Sequence, residues 1–314
     1  MIMKYDENDI LKATGHKSIP VICGPTASGK TSLSISLAEK YNGQICCCDS
    51  MQIYTHLSVG TAKPTIEEQK RVPHHLIDLV EPSEPFNVAS YLDVAYAKID
   101  ELLKAGILPV FCGGTGQYVS ALYKGISFDD APIDRSIEDS LYEEYEKNGI
   151  DGIYERLVSL DPKGAENIHP NNTKRVIHTL ALVESLHKTT KEIHEESQKN
   201  GARYPFTLFC IDWPRDVLYE RINLRVDQMI QEGIVDEAKW LYDQNYPEDT
   251  TALQAIGYKE FFPYFEDRAS LSDCVEKLKQ HTRNYAKRQL TWFRHLDGIN
   301  WLDGANIQME NIIF

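Results

Sequence analysis

The stretch that decides the fold reads Ile19-Pro20-Val21-Ile22-Cys23-Gly24-Pro25-Thr26-Ala27-Ser28-Gly29-Lys30-Thr31. Its second part fills every fixed position of the spacing G-x-x-x-x-G-K-[ST], which is typical of a phosphate-binding loop. The apolar residues before the loop predict a strand, and Ser32–Glu39 after it predict a helix. Strand, loop and helix are the setting in which this spacing binds a polyphosphate. The predicted site consists of Gly24, Pro25, Thr26, Ala27, Ser28, Gly29, Lys30 and Thr31.

The chemistry of the loop follows from its residue types. Backbone N–H groups and the positive end of the following helix attract phosphate oxygens. Lys30 adds a full positive charge, and the Thr31 hydroxyl is a candidate ligand for Mg²⁺. A glycine-rich turn that binds nothing is disfavoured by the strand and helix on either side. The loop does not specify which reaction the bound phosphate undergoes.

Composition places the chain among ordinary soluble globular proteins. It has 314 residues, of which 42% are hydrophobic and 25% charged, enough for one large or two modest domains. No apolar stretch is long enough to cross a bilayer, and the acidic start does not fit a secretory signal, so we expect a cytoplasmic location. The seven cysteines include no C-x-x-C pair, which favours buried free thiols over a metal site.

The charge distribution is uneven. A formal net charge of -14 argues against a nucleic-acid partner when it is taken alone. The segment from Lys277 to His295 nevertheless contains no acidic residue, and Tyr285, Trp292 and Phe293 lie among its basic residues. An RNA contact and a solvated helix face both explain this segment. Its basic residues are Lys277, Lys279, Arg283, Lys287, Arg288 and Arg294.

Strand and helix patterns alternate along the first half of the chain and predict an α/β fold with a parallel sheet covered by helices on both faces. Val88–Ala105 has the periodicity of a helix. Ligands of such sheets bind at the carboxyl ends of the strands, where the phosphate loop, Asp49 and the Gly113–Gly116 turn all fall. The predicted strands are Pro20–Cys23, Gln44–Cys48, His75–Val80, Leu108–Cys112 and Phe206–Ile211.

A helical segment interrupts this core. Residues after about 129 read as helices around Ile137–Lys147, Ile153–Leu160 and Thr173–Leu186, and strand character returns only at Phe206. From Asp216 to about His295 the pattern is again helical. We therefore predict a phosphate-loop NTPase-like core formed by residues 1–129 and 203–314, with a helical insertion domain at residues 130–202.

Several side chains have two interpretations at this stage. Asp49 at a strand end could be a general base or an Mg²⁺ ligand, but Asp also caps turns. Thr115 could hydrogen-bond a leaving group or an incoming nucleophile, or merely form a turn. Arg221 and Arg225 share a helix face that suits a pyrophosphate or an RNA backbone, with salt bridges as the alternative. His74 and His75 are expected to cap or pack.

The motifs resemble, in order, those of the bacterial tRNA dimethylallyltransferases, also called tRNA isopentenyltransferases. The resemblance extends from about Pro20 to Arg294, and the combination is far more specific than the phosphate loop alone. The motifs are Gly24–Thr31, Asp49–Tyr54, Gly60–Pro64, Pro73–Asp78, Gly113–Gly116, Ala255–Glu260 and Lys287–Arg294.

The resemblance implies transfer of a dimethylallyl group from dimethylallyl diphosphate to N6 of adenosine 37, which follows the anticodon in tRNA. It implies that the phosphate loop holds the diphosphate with Mg²⁺, that Asp49 is the base, and that Thr115 and Arg221 stabilise the leaving pyrophosphate. A monomer is expected, with the insertion gripping the anticodon stem-loop. The implied tRNA contacts are Asp49, Ser50, Met51, Gln52, Thr115, Asn171, Asn172, Thr173, Lys174, Arg175, Leu253, Gln254, Ala255, Ile256, Gly257, Tyr258, Lys287, Arg288, Gln289, Leu290, Thr291, Trp292, Phe293 and Arg294.

The insertion departs from the family pattern. Asn172 stands where the family usually has Asp, and His178 stands at the second arginine position. Three other functions remain as alternatives: an adenylate isopentenyltransferase acting on free nucleotides, a small-molecule kinase, and a non-enzymatic RNA-binding protein. The helical insertion and the basic segment argue against the first, because a mononucleotide needs neither. A complete phosphate loop with Asp49 argues against the last.

Overall fold

The computed structural model describes residues 4–127 and 134–314. Its centre is a six-stranded, fully parallel sheet with the strand order β3-β2-β4-β1-β5-β6. Every residue of the first strand is buried, and because alternate residues point to opposite faces, both faces of the sheet are covered. The strands are β1 (Ile19–Cys23), β2 (Gly43–Cys47), β3 (His74–His75), β4 (Leu108–Gly113), β5 (Phe206–Asp212) and β6 (Ile299–Asp303).

Helices connect these strands and extend beyond them. The predicted helix over Thr173–Leu186 is found with those bounds, and Val88–Ala105 ends one residue earlier than predicted. The α-helices of the described residues are α1 (Glu7–Thr14), α2 (Lys30–Lys40), α3 (Ile66–Arg71), α4 (Val88–Lys104), α5 (Gly116–Lys124), α6 (Arg135–Asn148), α7 (Asp151–Leu160), α8 (Pro162–Ala165), α9 (Thr173–Leu186), α10 (Thr190–Ser197), α11 (Arg215–Gln231), α12 (Ile234–Asp243), α13 (Phe262–Phe265) and α14 (Leu271–Arg294). Short 3₁₀ helices lie at Thr251–Gln254, Lys259–Phe261 and Met309–Asn311.

The α/β prediction is confirmed, but one strand was predicted wrongly. The strand expected over His75–Val80 contains only His74 and His75, apart from an isolated bridge between Tyr54 and Val80. Leu76 and Asp78 have φ angles of 63° and 51°. Left-handed backbone of this kind cannot continue a strand, so the apolar run turns back instead.

Strand β6 was not predicted. It lies at the edge of the sheet beside β5. None of its residues is fully buried, and Trp301 is 41% exposed. Without a buried face it lacks the apolar pattern by which a strand is identified in a sequence.

The chain divides into two compact units by its internal contacts. One unit, the core, comprises residues up to Tyr123 and from Arg203 onward, and the other, the insertion, runs from Lys124 to Ala202. The predicted boundary at residues 129 and 130 lies outside the described residues. The insertion has a hydrophobic centre of its own, formed by helices α6 to α9. Its buried residues are Leu141, Ile153, Leu157, Ala165, Ile168, Val176, Ile177, Leu180, Ala181 and Val183.

The cysteines are free, as predicted, and all but the half-buried Cys112 are buried. Burial raises the pKa of the Cys46 thiol to about 12, which keeps it protonated and unreactive at neutral pH. No helix within residues 4–127 and 134–314 combines the length and apolarity that a membrane span needs.

Gly113 is predicted to be indispensable where β4 passes β2. A Cβ at this position would lie 1.9 Å from the carbonyl oxygen of Cys48. Backbone atoms cannot move aside cheaply, so Gly113→Ala should lower the free energy of unfolding by about 2–3 kcal/mol, measured by urea denaturation. Gly152→Ala is the matched control, because a Cβ there meets nothing within 4 Å. An equal loss in both variants would contradict the prediction.

Candidate active site

The phosphate loop is shaped by two glycines. Gly24 follows β1 with φ of 137°, and Gly29 precedes α2 with φ of 96°. A Cβ on Gly24 would also lie 3.1 Å from the carbonyl oxygen of Ile211 in the neighbouring strand. Only glycine accepts this backbone and this closeness together, which explains the fixed positions of the motif. Helix α2 begins at Lys30 and directs its N-terminus into the loop.

The interior of the loop is suited to an anion. The Lys30 ammonium donates a 2.7 Å hydrogen bond to the Pro25 carbonyl, and burial lowers the pKa of Lys30. The Ser28 hydroxyl is 2% exposed and has no hydrogen-bond partner among the described residues. A buried polar group without a partner is costly, so a ligand oxygen at this point would satisfy it.

Arg221 and Trp213 hold the loop from the side of β5. The Arg221 Nε donates a 2.8 Å hydrogen bond to the Ala27 carbonyl, and the Trp213 Nε1 donates one of 2.9 Å to the Ser28 carbonyl. The guanidinium lies over the Trp213 ring, with its carbon 4.5 Å from the ring centroid. Arg225, one turn later, lines a cavity that the phosphate loop also lines, and burial lowers the pKa of Arg225. Both arginines therefore lie near the phosphate-loop end of the sheet, as the sequence predicted.

Asp49 lies directly after β2 at the carboxyl edge of the sheet. The Met51 N–H donates a 2.9 Å hydrogen bond to Asp49 Oδ1, which closes a turn. Burial raises the pKa of Asp49, while that N–H, the Lys30 charge and the Gln52 N–H oppose the shift. The side chain thus forms the turn that one interpretation required and also has the raised pKa that suits a base.

Thr115 connects β4 to the Asp49 turn. Its hydroxyl accepts a 2.9 Å hydrogen bond from the Ser50 N–H and lies 3.2 Å from the Ser50 hydroxyl. The Thr115 N–H donates to the Cys48 carbonyl over 3.3 Å. Thr115, for which a role at the site was predicted, therefore links the ends of β2 and β4.

A cavity of about 1190 Å³ opens at this edge of the core unit. The phosphate loop from Thr26 to Thr31 borders it, as do Asp49–Gln52 and Gln254–Gly257. Arg288 and Gln289 of α14 also reach it. One volume therefore combines the predicted phosphate site with parts of three predicted tRNA-binding segments.

Helix α14 presents two different faces. Gln289 and Phe293 are buried, whereas Lys287, Arg288 and Arg294 are exposed. Trp292 is 49% exposed, and its Nε1 donates a 2.8 Å hydrogen bond to the Ser120 hydroxyl. The exposed face of the second half of the helix is basic.

Two cations in the first half of the basic segment have partners on α11. Lys279 forms a 2.7 Å ion pair with Asp227 of α11, and Arg283 donates a 2.6 Å hydrogen bond to the Asn223 side chain. Lys279 and Arg283 are therefore engaged in contacts between α14 and α11, and an RNA contact by the exposed cations of the segment stays a prediction.

In the insertion, Asn171–Arg175 lie at the start of α9. Asn171, Asn172, Lys174 and Arg175 are exposed, and the Asn172 side chain accepts a 3.4 Å hydrogen bond from the Arg175 N–H. His178, the departure from the family pattern, has its Nδ1 3.1 Å from a carboxylate oxygen of Glu138. Its position is therefore engaged with α6 within the insertion.

Sequence reasoning missed Glu237. Its carboxylate accepts hydrogen bonds from the backbone N–H groups of Ser58, Val59 and Gly60, over 2.8, 3.0 and 2.9 Å. It also accepts a 2.7 Å hydrogen bond from the Tyr258 hydroxyl. It therefore fixes the Gly60–Pro64 motif, which borders the cavity. No local signal marks one glutamate among several on an amphipathic helix such as α12.

His74 and His75 have the kinds of contact that the sequence predicted. His74 Nδ1 lies 2.8 Å from the Val72 carbonyl, and His75 Nε2 lies 2.7 Å from the Gln44 side-chain oxygen. Both histidines thus have packing and capping contacts, as predicted.

Across the described ranges no group of three or more His, Cys, Asp or Glu side chains could hold a metal ion.

Comparison with known proteins places this site in a family. A family model described as IPP transferase matches residues 52–296, and one described as isopentenyl transferase matches residues 17–78. The tRNA dimethylallyltransferases of Acetivibrio thermocellus and Bacillus subtilis are 43% and 44% identical, over 91% of this chain and 91% and 90% of theirs.

Solved structures agree. The full-length tRNA isopentenylpyrophosphate transferase from Bacillus halodurans has a TM-score of 0.68 at 41% identity, covering 93% of this chain and 92% of that one. A eukaryotic dimethylallyltransferase acting on tRNA has a TM-score of 0.79 at 30% identity, covering 91% and 73%. The fold is therefore shared, and this chain belongs to the tRNA dimethylallyltransferase family.

Proposed function

We propose that this protein transfers a dimethylallyl group from dimethylallyl diphosphate to N6 of adenosine 37 in tRNA and releases diphosphate. The observation that carries the proposal is that the phosphate loop, Asp49 and Arg288, an exposed cation of α14, border one cavity. A kinase would need the loop but not the adjoining basic surface. The names of the related proteins support the same reaction.

The diphosphate is proposed to occupy the phosphate loop. Cleavage of the allylic carbon–oxygen bond leaves positive charge on carbon and adds negative charge to the departing oxygen. Lys30, the loop N–H groups, and the Arg221 and Arg225 guanidiniums are arranged to stabilise that oxygen before the reaction begins. The unpartnered Ser28 hydroxyl supplies another donor. Thr115, just after the end of the neighbouring strand β4, is proposed to stabilise the same leaving group.

Asp49 is proposed to be the base. The N6 amine attacks the allylic carbon, diphosphate departs with the bonding electrons, and the proton from nitrogen passes to the Asp49 carboxylate. Burial raises the pKa of this carboxyl, which makes its ionised form a better proton acceptor. The adenine must leave its stack to reach the cavity, at a cost of roughly a few kcal/mol that aromatic and guanidinium stacking would offset.

Mg²⁺ is the proposed metal. The Thr31 hydroxyl fits it, because it is an oxygen donor in the loop that would hold the diphosphate. No protein cage is needed, since Mg²⁺ is commonly held by one or two side chains together with phosphate oxygens and water. When bound, the ion would neutralise charge on the diphosphate.

The tRNA is proposed to contact the exposed residues of Lys287–Arg294 and the segments Asp49–Gln52 and Leu253–Tyr258 in the core. Asn171–Arg175 of the insertion are proposed to contact the anticodon stem-loop. We further propose that the protein acts as a monomer in the cytoplasm, where its substrate occurs.

The proposed substrate is tested by offering the protein labelled dimethylallyl diphosphate and Mg²⁺ with either tRNA or AMP. Label should appear on tRNA, at the adenosine following the anticodon, because the basic end of α14 would bind a polyanion. The products are analysed by nuclease digestion and chromatography. Label on AMP with none on tRNA would identify an adenylate isopentenyltransferase instead.

Replacement of the base is predicted to change both rate and pH dependence. Asp49→Asn should lower kcat by about 10²–10⁴-fold. In the unaltered protein kcat should rise with pH as Asp49 loses its proton, and burial places that rise above the ordinary range of an aspartate. The variant should lose this rise. Asp93→Asn, which removes an exposed carboxylate from α4, is the control. An Asp49→Asn enzyme with normal turnover would exclude Asp49 as the base.

The RNA-facing part of α14 is tested by salt dependence. Arg288→Ala and Arg294→Ala should each weaken tRNA binding and reduce the slope of log K against log salt by about 0.7–0.9, if each arginine contacts one phosphate. Binding is measured by filter retention over a range of salt concentrations. Lys12→Ala removes the same charge from an exposed position on α1 and should leave the slope unchanged. Parallel slopes for all variants would count against this surface.

A further inference from the structure

The side chain of Gln289 connects two loops of the proposed active site. The Thr26 N–H donates a 2.9 Å hydrogen bond to Gln289 Oε1, and Gln289 Nε2 donates a 2.9 Å hydrogen bond to the Gly114 carbonyl. The residue is 5% exposed. One amide thus joins the phosphate loop to the turn that carries Thr115, and it comes from a third element, α14.

The turn is built closely around this helix. A Cβ on Gly114 would lie 2.3 Å from Gln289 Nε2, and one on Gly116 would lie 2.4 Å from Cδ1 of Trp292. The two glycines therefore allow α14 to approach the site more closely than other residues would. This contact is part of the local architecture and does not depend on a flexible surface side chain.

The chemistry of the contact requires an amide. One end of the side chain must accept a hydrogen bond and the other must donate one. A glutamate ionised at neutral pH offers only acceptors, and an apolar side chain of similar volume offers neither. Each of these would leave a buried backbone group without its partner.

We propose that Gln289 is a positioning residue, which sets the spacing between the diphosphate in the phosphate loop and the Asp49–Thr115 side of the site. This inference rests on the function proposed above. Gln289 would touch neither reacting atom and would act through Thr26 and Gly114. Misplacement of reacting groups by about 1 Å can cost roughly 10²-fold in rate, so a single lost bridge should be visible in turnover.

The first experiment compares Gln289→Met with Gln280→Met, which alters an exposed glutamine on the same helix. Gln289→Met should lower kcat by roughly 10–100-fold at saturating concentrations of both substrates. It should also weaken binding of magnesium pyrophosphate, measured by calorimetry, and leave the Kd for tRNA within about twofold. Gln280→Met should change none of these.

A second variant keeps the test decisive if Gln289→Met folds poorly. In Gln289→Glu the introduced carboxyl, once protonated, can again accept from Thr26 and donate to Gly114. Burial favours that protonated form, so the pyrophosphate affinity of the variant relative to the unaltered protein should recover as the pH falls from about 8 to about 6. A merely structural role would not produce this recovery.

Three outcomes would overturn the proposal. One is weaker tRNA binding with kcat unchanged, which would make Gln289 a tRNA contact. Another is a lower unfolding midpoint with kcat and pyrophosphate affinity unchanged, and the third is a relative affinity of Gln289→Glu that does not vary with pH. An unaltered protein that binds magnesium pyrophosphate but does not modify tRNA would refute the proposed function, while the pyrophosphate measurements would still decide the role of Gln289.

Discussion

The parallel register of β1 with its two neighbours is the constraint on which the site depends. Cys23, the last residue of β1, lies opposite Gly113 of β4 on one side and Cys210 of β5 on the other. β1 and β4 therefore end at one level and β5 ends two residues later, at Asp212, so the segments that follow the three strands meet at one edge. Gly24 and Gly113 then permit contacts with neighbouring backbone that no side chain would allow. The phosphate loop, the turn that carries Thr115 and helix α11 with Arg221 are neighbours because these strands end at the same edge of the sheet.

Features encoded within a few consecutive residues could be predicted from the sequence. The phosphate loop, the strands before and after it, and the α9 helix have local patterns, and the structure has them where those patterns lie. Features that depend on distant partners could not be predicted. β6 is a strand only because β5 has a free edge with which it can pair. Strand β3 ends before Leu76 because Leu76 has a left-handed backbone, which an apolar side chain gives no reason to predict.

The same distinction applies to the site. Asp49, Thr115 and Arg221 could be proposed because each lies at a strand end or on a helix directly after one. Glu237 was not proposed, and Gln289 was predicted only as a tRNA contact, because the Ser58 N–H that Glu237 binds and the Thr26 N–H that Gln289 binds lie more than a hundred residues away in the chain. Lys279 also shows why counting basic residues does not identify an RNA-binding surface. Its charge is paired with Asp227 within the fold, although the sequence alone is equally consistent with an RNA contact.

Burial shifts the two central charges of the site in opposite directions. It lowers the pKa of Lys30 and raises that of Asp49, and each group opposes the shift of the other because their charges attract. A diphosphate brought beside them would add negative charge, which favours protonated Lys30 and also favours protonated Asp49. Only the first effect helps a reaction in which Asp49 must accept a proton. Arg221, Arg225 and a bound metal ion would therefore do more than stabilise the proposed leaving group, because by neutralising its charge they would also keep Asp49, the proposed base, ionised.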